Sequence, residues 1–334
     1  MKALVTGASG FLGGNLCRVL LAEGREVRVL LRKTSDRRGI EGLPLEIVEG
    51  DVADAGSCEK AAKGCGEAYH CAAAYQLFVR DKKKMYEANV QGTANVLKAA
   101  AQAGASRIVY TSTVGALGNK GDGTPGTEET PVSESDMVGP YKHSKFLAEQ
   151  EALRLFREEK IPVVIVNPTA PIGPWDVKPT PTGRLVLDFL KGDMPAYVDT
   201  GLNVIDVEDC ARGHVLAAEK GRLGEKYILG GENLTLEGIL KLLSEITGKP
   251  APRWRLPYAP VLGMAYVAEG FARLTGWPQD LRLNVASVKM AKKKMWFSSE
   301  KARKELGLSA RPAREALERA AKWFEEHGYT HRPS

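Results

Sequence analysis

Through the first half of the chain, short apolar runs alternate with longer stretches of helical periodicity. The runs are KALVT from Lys2, EVRVLLR from Glu26, LEIVEG from Leu45, EAYHCA from Glu67, RIVYTS from Arg107 and PVVIVN from Pro162. Between them lie FLGGNLCRVLLAEG, DAGSCEKAAKG, MYEANVQGTANVLKAAAQAG and YKHSKFLAEQEALRLFREEK. Apolar strands that do not alternate with polar residues are buried on both faces, as in a parallel sheet flanked by helices. The pattern predicts an α/β fold with a doubly wound parallel sheet over residues 1–168.

After Pro168 the alternation stops. PTAPIGPWDVKPTPTGR is rich in Pro and Gly and reads as a long loop. Helical pieces follow at Leu185 to Lys191, Asp209 to Glu219, Thr235 to Thr247 and Pro312 to His327. KYILGG from Lys226 reads as a strand that rejoins the sheet near 225–230. Residues 169–334 are thus expected to form mainly a smaller, mostly helical lobe that closes over the carboxyl ends of the strands and binds substrate. PYAPVLGMAYVAEGFARL from Pro257 is interrupted by Pro260, Gly263 and Glu269 and cannot span a bilayer unaided. It reads first as core packing, with a substrate groove or a membrane-surface face as alternatives.

Composition narrows the class. The 334 residues are 43% apolar and 26% charged, ordinary for a globular protein that needs no staples. A net charge of +6 suits an anionic ligand without demanding nucleic acid. The five cysteines, Cys17, Cys58, Cys65, Cys71 and Cys210, fit neither a zinc site nor a secreted framework. They read as reduced thiols in a cytoplasmic protein. No targeting or transmembrane segment is visible, and no cluster has metal-ligand spacing.

The chemistry begins at Thr6-Gly7-Ala8-Ser9-Gly10-Phe11-Leu12-Gly13, between the first strand and the first helix. Gly7 permits a tight turn, Gly10 lets backbone approach a pyrophosphate, and Gly13 lets helix pack on strand. The helix start, with Phe11 and Leu12, then offers free N–H groups to the phosphates. A dinucleotide is the expected ligand of this Rossmann-type turn.

The G-x-x-G-x-x-G spacing resembles the short-chain dehydrogenase/reductase superfamily. That resemblance implies a Tyr-x-x-x-Lys pair after the fifth strand, and the chain has Tyr141-Lys142-His143-Ser144-Lys145. It also implies a Ser or Thr just past that strand, where Thr113 stands beside Ser112 and Thr111. Asn89-Val90-Gln91-Gly92-Thr93 and Asn167-Pro168-Thr169 resemble segments of the extended branch. By the same resemblance, Asp51 and Val52 contact adenine. Ala72 and Ala73 admit the cofactor closely, and Asn89, Thr111, Pro168 and Thr169 border it. Relatives pair through the Asn89–Gln102 and Tyr141–Glu158 regions, so a homodimer is implied.

Tyr141 and Lys145 are four apart and share a helix face. A phenol titrates near 10, and a neighbouring ammonium favours its ionised form. Tyr141 is the expected proton donor to a carbonyl, with Thr113 bonding the same oxygen. The resemblance gives Lys145 a further role on the nicotinamide ribose.

A carboxylate at the end of the second strand selects NAD by gripping the ribose hydroxyls. Here the chain reads VRVLLRKTSDRR. Arg32 stands in that place, with Lys33, Arg37 and Arg38 behind it, and a guanidinium matches phosphate. NADP(H) is expected, with NAD(H) as the alternative through Asp36. The run VVIVNPTAPIGP resembles dihydroflavonol and cinnamoyl-CoA reductases. YKHSKFLAEQ, PTPTGR and GEKYILGGENLTL resemble hopanoid-associated sugar epimerases. Leu202 stands where many nucleotide-sugar enzymes carry a diphosphate-binding Arg, though Arg184 could substitute. The reading is a reductase of a small-molecule carbonyl. A nucleotide-sugar epimerase or dehydratase with retained NAD is the alternative, and a non-catalytic dinucleotide sensor the third.

Overall fold

The structure, a computed structural model, describes residues 1–74, 82–275 and 285–330. The first half alternates β1 (Lys2–Thr6), α1 (Phe11–Ala22), β2 (Glu26–Leu31), β3 (Glu46–Glu49), α2 (Ala55–Ala62) and β4 (Glu67–His70). It continues through α3 (Lys82–Tyr86), α4 (Gly92–Gln102), β5 (Arg107–Thr111), α5 (Gly139–Glu159) and β6 (Val163–Pro168). A π-helical turn at Glu87–Gln91 joins α3 to α4.

The second half contains β7 (Ala170–Ile172), α6 (Pro181–Lys191), β8 (Ala196–Val198), β9 (Gly201–Asp206), α7 (Val207–Lys220) and β10 (Lys226–Leu229). It ends with β11 (Glu232–Thr235), α8 (Leu236–Thr247), β12 (Trp254–Leu256), α9 (Tyr258–Thr275), α10 (Val285–Ala291) and α11 (Ala313–Glu326).

The main sheet runs β10-β6-β5-β4-β1-β2-β3, with every pairing parallel. Alternate residues of each strand feed different cores. Val5, Val29, Tyr69, Val109 and Val164 pack with residues of α1 and α7. Leu4, Leu30, Ala68, Ile108 and Ile165 pack with residues of α2, α4 and α5. Two-sided burial explains why these strands are apolar without alternation.

From β1 the chain winds outward through β2 and β3, then returns to place β4 on the other side of β1. The carboxyl ends of β1 and β4 therefore diverge at the point where winding reverses, and a crevice opens there. Cys71 N donates to Thr6 O across the two strand ends at 3.1 Å.

The second lobe is mostly helical, as expected, but it also contains short strands that the sequence pattern did not reveal. It holds a three-stranded sheet, β11-β9-β7, and a two-stranded one, β12-β8. These strands span three to six residues, too short for a periodic signal. Within the stretch read as a loop, Ala170–Ile172 pairs with β9. Helix α6 starts at Pro181 rather than Leu185, because Thr180 caps it by accepting from Gly183 N and proline suits the first turn. Ile172, Val186, Leu190, Val204, Leu240 and Phe324 share this lobe's core.

The apolar stretch from Pro257 is also only partly core. In α9, Val261, Ala265 and Ala272 are buried, while Met264, Tyr266, Val267, Phe271 and Leu274 are exposed. Among the described residues, no helix is long and apolar enough to cross a membrane. All five cysteines are free thiols.

Candidate active site

The glycine turn sits at the crevice. Gly7 has φ +78°, and a Cβ there would lie 2.6 Å from Ala72 N. A Cβ on Gly13 would lie 2.2 Å from Gly7 O, so only glycine lets α1 start this close to β1. Gly10 is exposed at the N-cap of α1. No side chain caps this helix and no acid occupies its first turn. The N–H groups at Phe11, Leu12 and Gly13 and the positive end of the helix dipole are therefore left for an anion. This cradle fits the pyrophosphate of a dinucleotide.

Beyond β2, Arg32 and Lys33 are exposed and have no ion-pair partner among the described residues. Arg37 instead pairs with Glu49 at 2.9 Å, and Arg38 with Asp36 at 2.7 Å. The hydrogen bonds from Arg38 hold the Asp36 carboxyl below its usual range. Beyond β3, Asp51 and Val52 are half-buried, with Asp51 Oδ1 accepting from Ala53 N at 3.0 Å.

Ala72 and Ala73 follow β4, and the loop they belong to is held by Asn89. Asn89 Oδ1 accepts from Ala74 N at 2.7 Å, and its amide donates to Ala74 O at 3.2 Å and to Ser144 Oγ at 2.9 Å. Ser144 Oγ in turn donates to Tyr141 O at 2.8 Å. Both amide protons of Asn89 are thus spent on protein. It couples the loop after β4 to the helix carrying Tyr141, from within a π-turn of the kind that often marks functional positions.

Helix α5 has Tyr141 half-buried in its first turn and Lys145 fully buried one turn on. The Lys145 ammonium donates to Tyr110 Oη at 2.9 Å and to Thr111 O at 2.8 Å. Its third proton has no acceptor among the described residues. Burial lowers its pKa from 10.5 to about 8, against the opposing pull of Glu149. Thr113 lies just past β5, half-buried, its Oγ1 accepting from Gly115 N at 3.1 Å. That leaves the hydroxyl proton free to donate. Asn167 Nδ2 fixes the Thr113 carbonyl at 3.1 Å. Pro168 closes β6, and Thr169 is tied to Leu229 O by its N–H and its hydroxyl.

Beneath these groups lies a neutral polar layer. His214 Nδ1 is 2.8 Å from Cys210 O and therefore carries the proton, so Nε2 accepts from Thr111 Oγ1 at 3.1 Å. Thr93 Oγ1 donates to Asn89 O at 2.6 Å, so His70 Nε2 donates to Thr93 while Nδ1 accepts from Thr6 Oγ1 at 2.7 Å. Burial drives His70 down to about 3 and His214 to about 4, so both stay uncharged. Lys145 is then the group in this buried layer that titrates near neutrality.

Beside α5, a cavity of about 540 Å³ is lined by Tyr86, Glu134, Met137, Pro140 and His143. His143 bonds Tyr86 Oη through Nδ1 and Glu134 Oε1 at 2.5 Å through Nε2. The histidine inside the Tyr-x-x-x-Lys segment thus structures the cavity wall.

A sequence profile described as the NAD dependent epimerase/dehydratase family matches residues 3–230, more than half of the chain. The chain belongs to that family. Over 97% of this chain and 95% of the relative, it is 45% identical to a putative dihydroflavonol 4-reductase of Synechocystis sp.. It is 36% identical to sterol demethylase protein B of Methylococcus capsulatus over 98% of this chain and 99% of the relative. The crystal structure of gox2253 superposes with a TM-score of 0.88 at 48% identity, covering 99% of each chain. The expectation of an enzyme acting on small molecules with a nicotinamide dinucleotide agrees with these likenesses.

Two positions bear on the choice within the epimerase/dehydratase family. Leu202 is in β9 and packs against the core of the second lobe. Arg184 is half-buried on α6 and has no hydrogen-bond acceptor among the described residues. No group of three or more His, Cys, Asp or Glu among the described residues could hold a metal. Sequence reasoning missed Tyr110, the side-chain partner of Lys145. The signal was present: Tyr110 follows Ile108 by two and so shares its strand face toward α4 and α5.

Proposed function

We propose that this chain is an NADP(H)-dependent reductase of a ketone or aldehyde, with Tyr141 as proton donor. One observation carries the reading. Where a ribose-gripping carboxylate would stand beyond β2, the chain presents Arg32 and Lys33, exposed and without an ion-pair partner among the described residues. They suit a 2′-phosphate, and hence a cofactor that exchanges with a reducing pool. The whole-chain likeness to a putative dihydroflavonol 4-reductase supports the same reading.

The turn at Gly7, Gly10 and Gly13, with the start of α1, would hold the pyrophosphate. Asp51, Val52, Ala72 and Ala73 would border the cofactor, and Lys145 would take the ribose hydroxyls with its unspent proton. The bound dinucleotide would supply the hydride. Thr113 Oγ1 donates to the substrate oxygen and orients it. Tyr141 Oη passes its proton to that oxygen as the carbon is reduced, so the carbonyl gains one hydride and one proton and becomes an alcohol. The Lys145 charge, close to Tyr141 on the same helix face, stabilises the phenolate left behind.

The epimerase alternative keeps one observation in its favour: Arg184 is available for a diphosphate. The test supplies NADPH with a panel of aromatic and aliphatic carbonyls, and separately incubates the protein with UDP- and GDP-sugars. The reductase reading expects stoichiometric NADPH oxidation with carbonyls. Sugar inversion without net cofactor consumption, in protein that purifies with NAD, would refute it.

A further inference from the structure

Helix α9 is apolar on the face it buries and also on the face it shows to water. Val261 and Ala265 pack with Val285 and Val288 of α10, which accounts for one stripe. The opposite stripe runs at helical spacing through Gly263, Met264, Val267, Gly270, Phe271 and Leu274. Val267 is 75% exposed and Leu274 90% exposed, and a Cβ on Gly263 or Gly270 would meet nothing within 4 Å. Nothing polar interrupts the stripe. A surface helix normally turns charge toward water on this side, and contiguous exposed apolar faces of this kind mark contact surfaces.

The flanks identify the contact. Trp254, just before α9, is 75% exposed, and Tyr266 is 53% exposed. Lys289 and Lys292, one turn apart on and just past α10, are exposed and have no carboxylate partner among the described residues. Lys289 lies 5.7 Å from the Tyr266 ring centroid, and Lys292 lies 5.9 Å from that of Tyr258. The cations therefore border the helix that carries the apolar stripe.

We propose that α9 docks the protein in the plane of an anionic lipid bilayer. Aliphatic and aromatic side chains would enter the acyl boundary, Trp254 and Tyr266 would sit at headgroup level, and Lys289 and Lys292 would meet lipid phosphates. A second copy fits less well. A two-fold contact on α9 would bring the same lysines of both chains to one interface, unpaired and losing water. The helix lies on the bilayer and does not cross it, consistent with its length and its interruptions.

The test is sedimentation of the full chain with extruded vesicles, one set of phosphatidylcholine alone and one containing roughly a third phosphatidylglycerol. Binding is expected to the anionic set, weakened by salt. The double variant Val267→Glu with Leu274→Glu should lower binding at least about tenfold. Lys289→Glu with Lys292→Glu should lower it by roughly tenfold or more and abolish the preference for anionic lipid. Thermal melting should stay near native in both, because all four side chains are exposed. Three results would overturn the proposal: a native chain that sediments with neither set or equally with both, variants that bind as native, or a native dimer that the α9 variant renders monomeric.

Discussion

At the residue scale, three side chains take their chemistry from their surroundings. Tyr141 and Lys145 are placed by α5, and their roles separate on mutation. Tyr141→Phe should leave NADPH binding nearly intact and lower turnover by about two to four orders of magnitude, read by steady-state kinetics and cofactor fluorescence. Near-native turnover would remove Tyr141 from the mechanism. Lys145 predicts a pH profile. Its folded pKa is lowered to about 8, so the ammonium that would bind ribose persists below that value and is lost above it. NADPH affinity should be level to about pH 8 and weaken beyond, a trend that fluorescence titration between pH 6.5 and about 9.5 would detect. The stability sign is opposite. Between about 8 and 10.5 the unfolded chain holds more protons at this site than the folded one, so this group favours folding increasingly as pH rises through that window. Arg32, exposed and without an ion-pair partner among the described residues, should carry most of the preference for NADPH over NADH. Arg32→Ala should reduce it by about ten- to a hundredfold, and equal affinities in the native protein would end the NADP(H) assignment.

At the element scale, the decisive contact is the start of α1 against β1. A methyl on Gly13 cannot coexist with Gly7 O at 2.2 Å, so Gly13→Ala must push α1 away from the turn. Overpacking of this kind costs about 1–3 kcal/mol. The expected result is a lowered melting temperature together with a larger proportional loss of cofactor affinity, since the phosphate cradle itself moves. Intact affinity would show that the cradle lies elsewhere. The π-turn at Glu87–Gln91 has a comparable place in the fold. It keeps Asn89 within reach of both Ala74 and Ser144, and Ser144 in turn bonds the Tyr141 carbonyl.

At the scale of the whole molecule, a network of ions fastens the chain's last helix to the lobe carrying Asp206. Asp206, at the N-cap of α7, is fully buried and pairs with Arg319 of α11 at 2.7 Å. Arg319 also reaches Glu208 at 2.8 Å, and Arg311 holds Asp209 at 2.8 Å. Burial raises the Asp206 pKa despite both arginines, a sign of the desolvation the pairing must offset. Arg319→Met should destabilise the protein by about 1–3 kcal/mol in urea unfolding. That is less than for a fully buried pair, because Arg319 is 34% exposed and Arg311 remains at 3.8 Å. An unchanged midpoint would make the network ornamental.

The sequence alone determined what local pattern and backbone chemistry can carry. Two-sided apolar runs made the sheet parallel, and Gly7 and Gly13 demanded a close turn before α1. The spacing from Tyr141 to Lys145 put both on one helix face. Each signal is confined to a short window, where period, turn and spacing act directly. Tertiary structure decided what depends on neighbours distant in the chain. Burial under Tyr110 and Thr111, not the lysine itself, brings Lys145 near neutrality. Asn89 became a tie between a loop and a helix because strand order brought residues 74 and 144 beside it. The short strands β7 and β9 exist only because their partners meet. An apolar run such as α9 has no internal sign of which face will be covered, and only packing against α10 left Val267 and Leu274 facing outward.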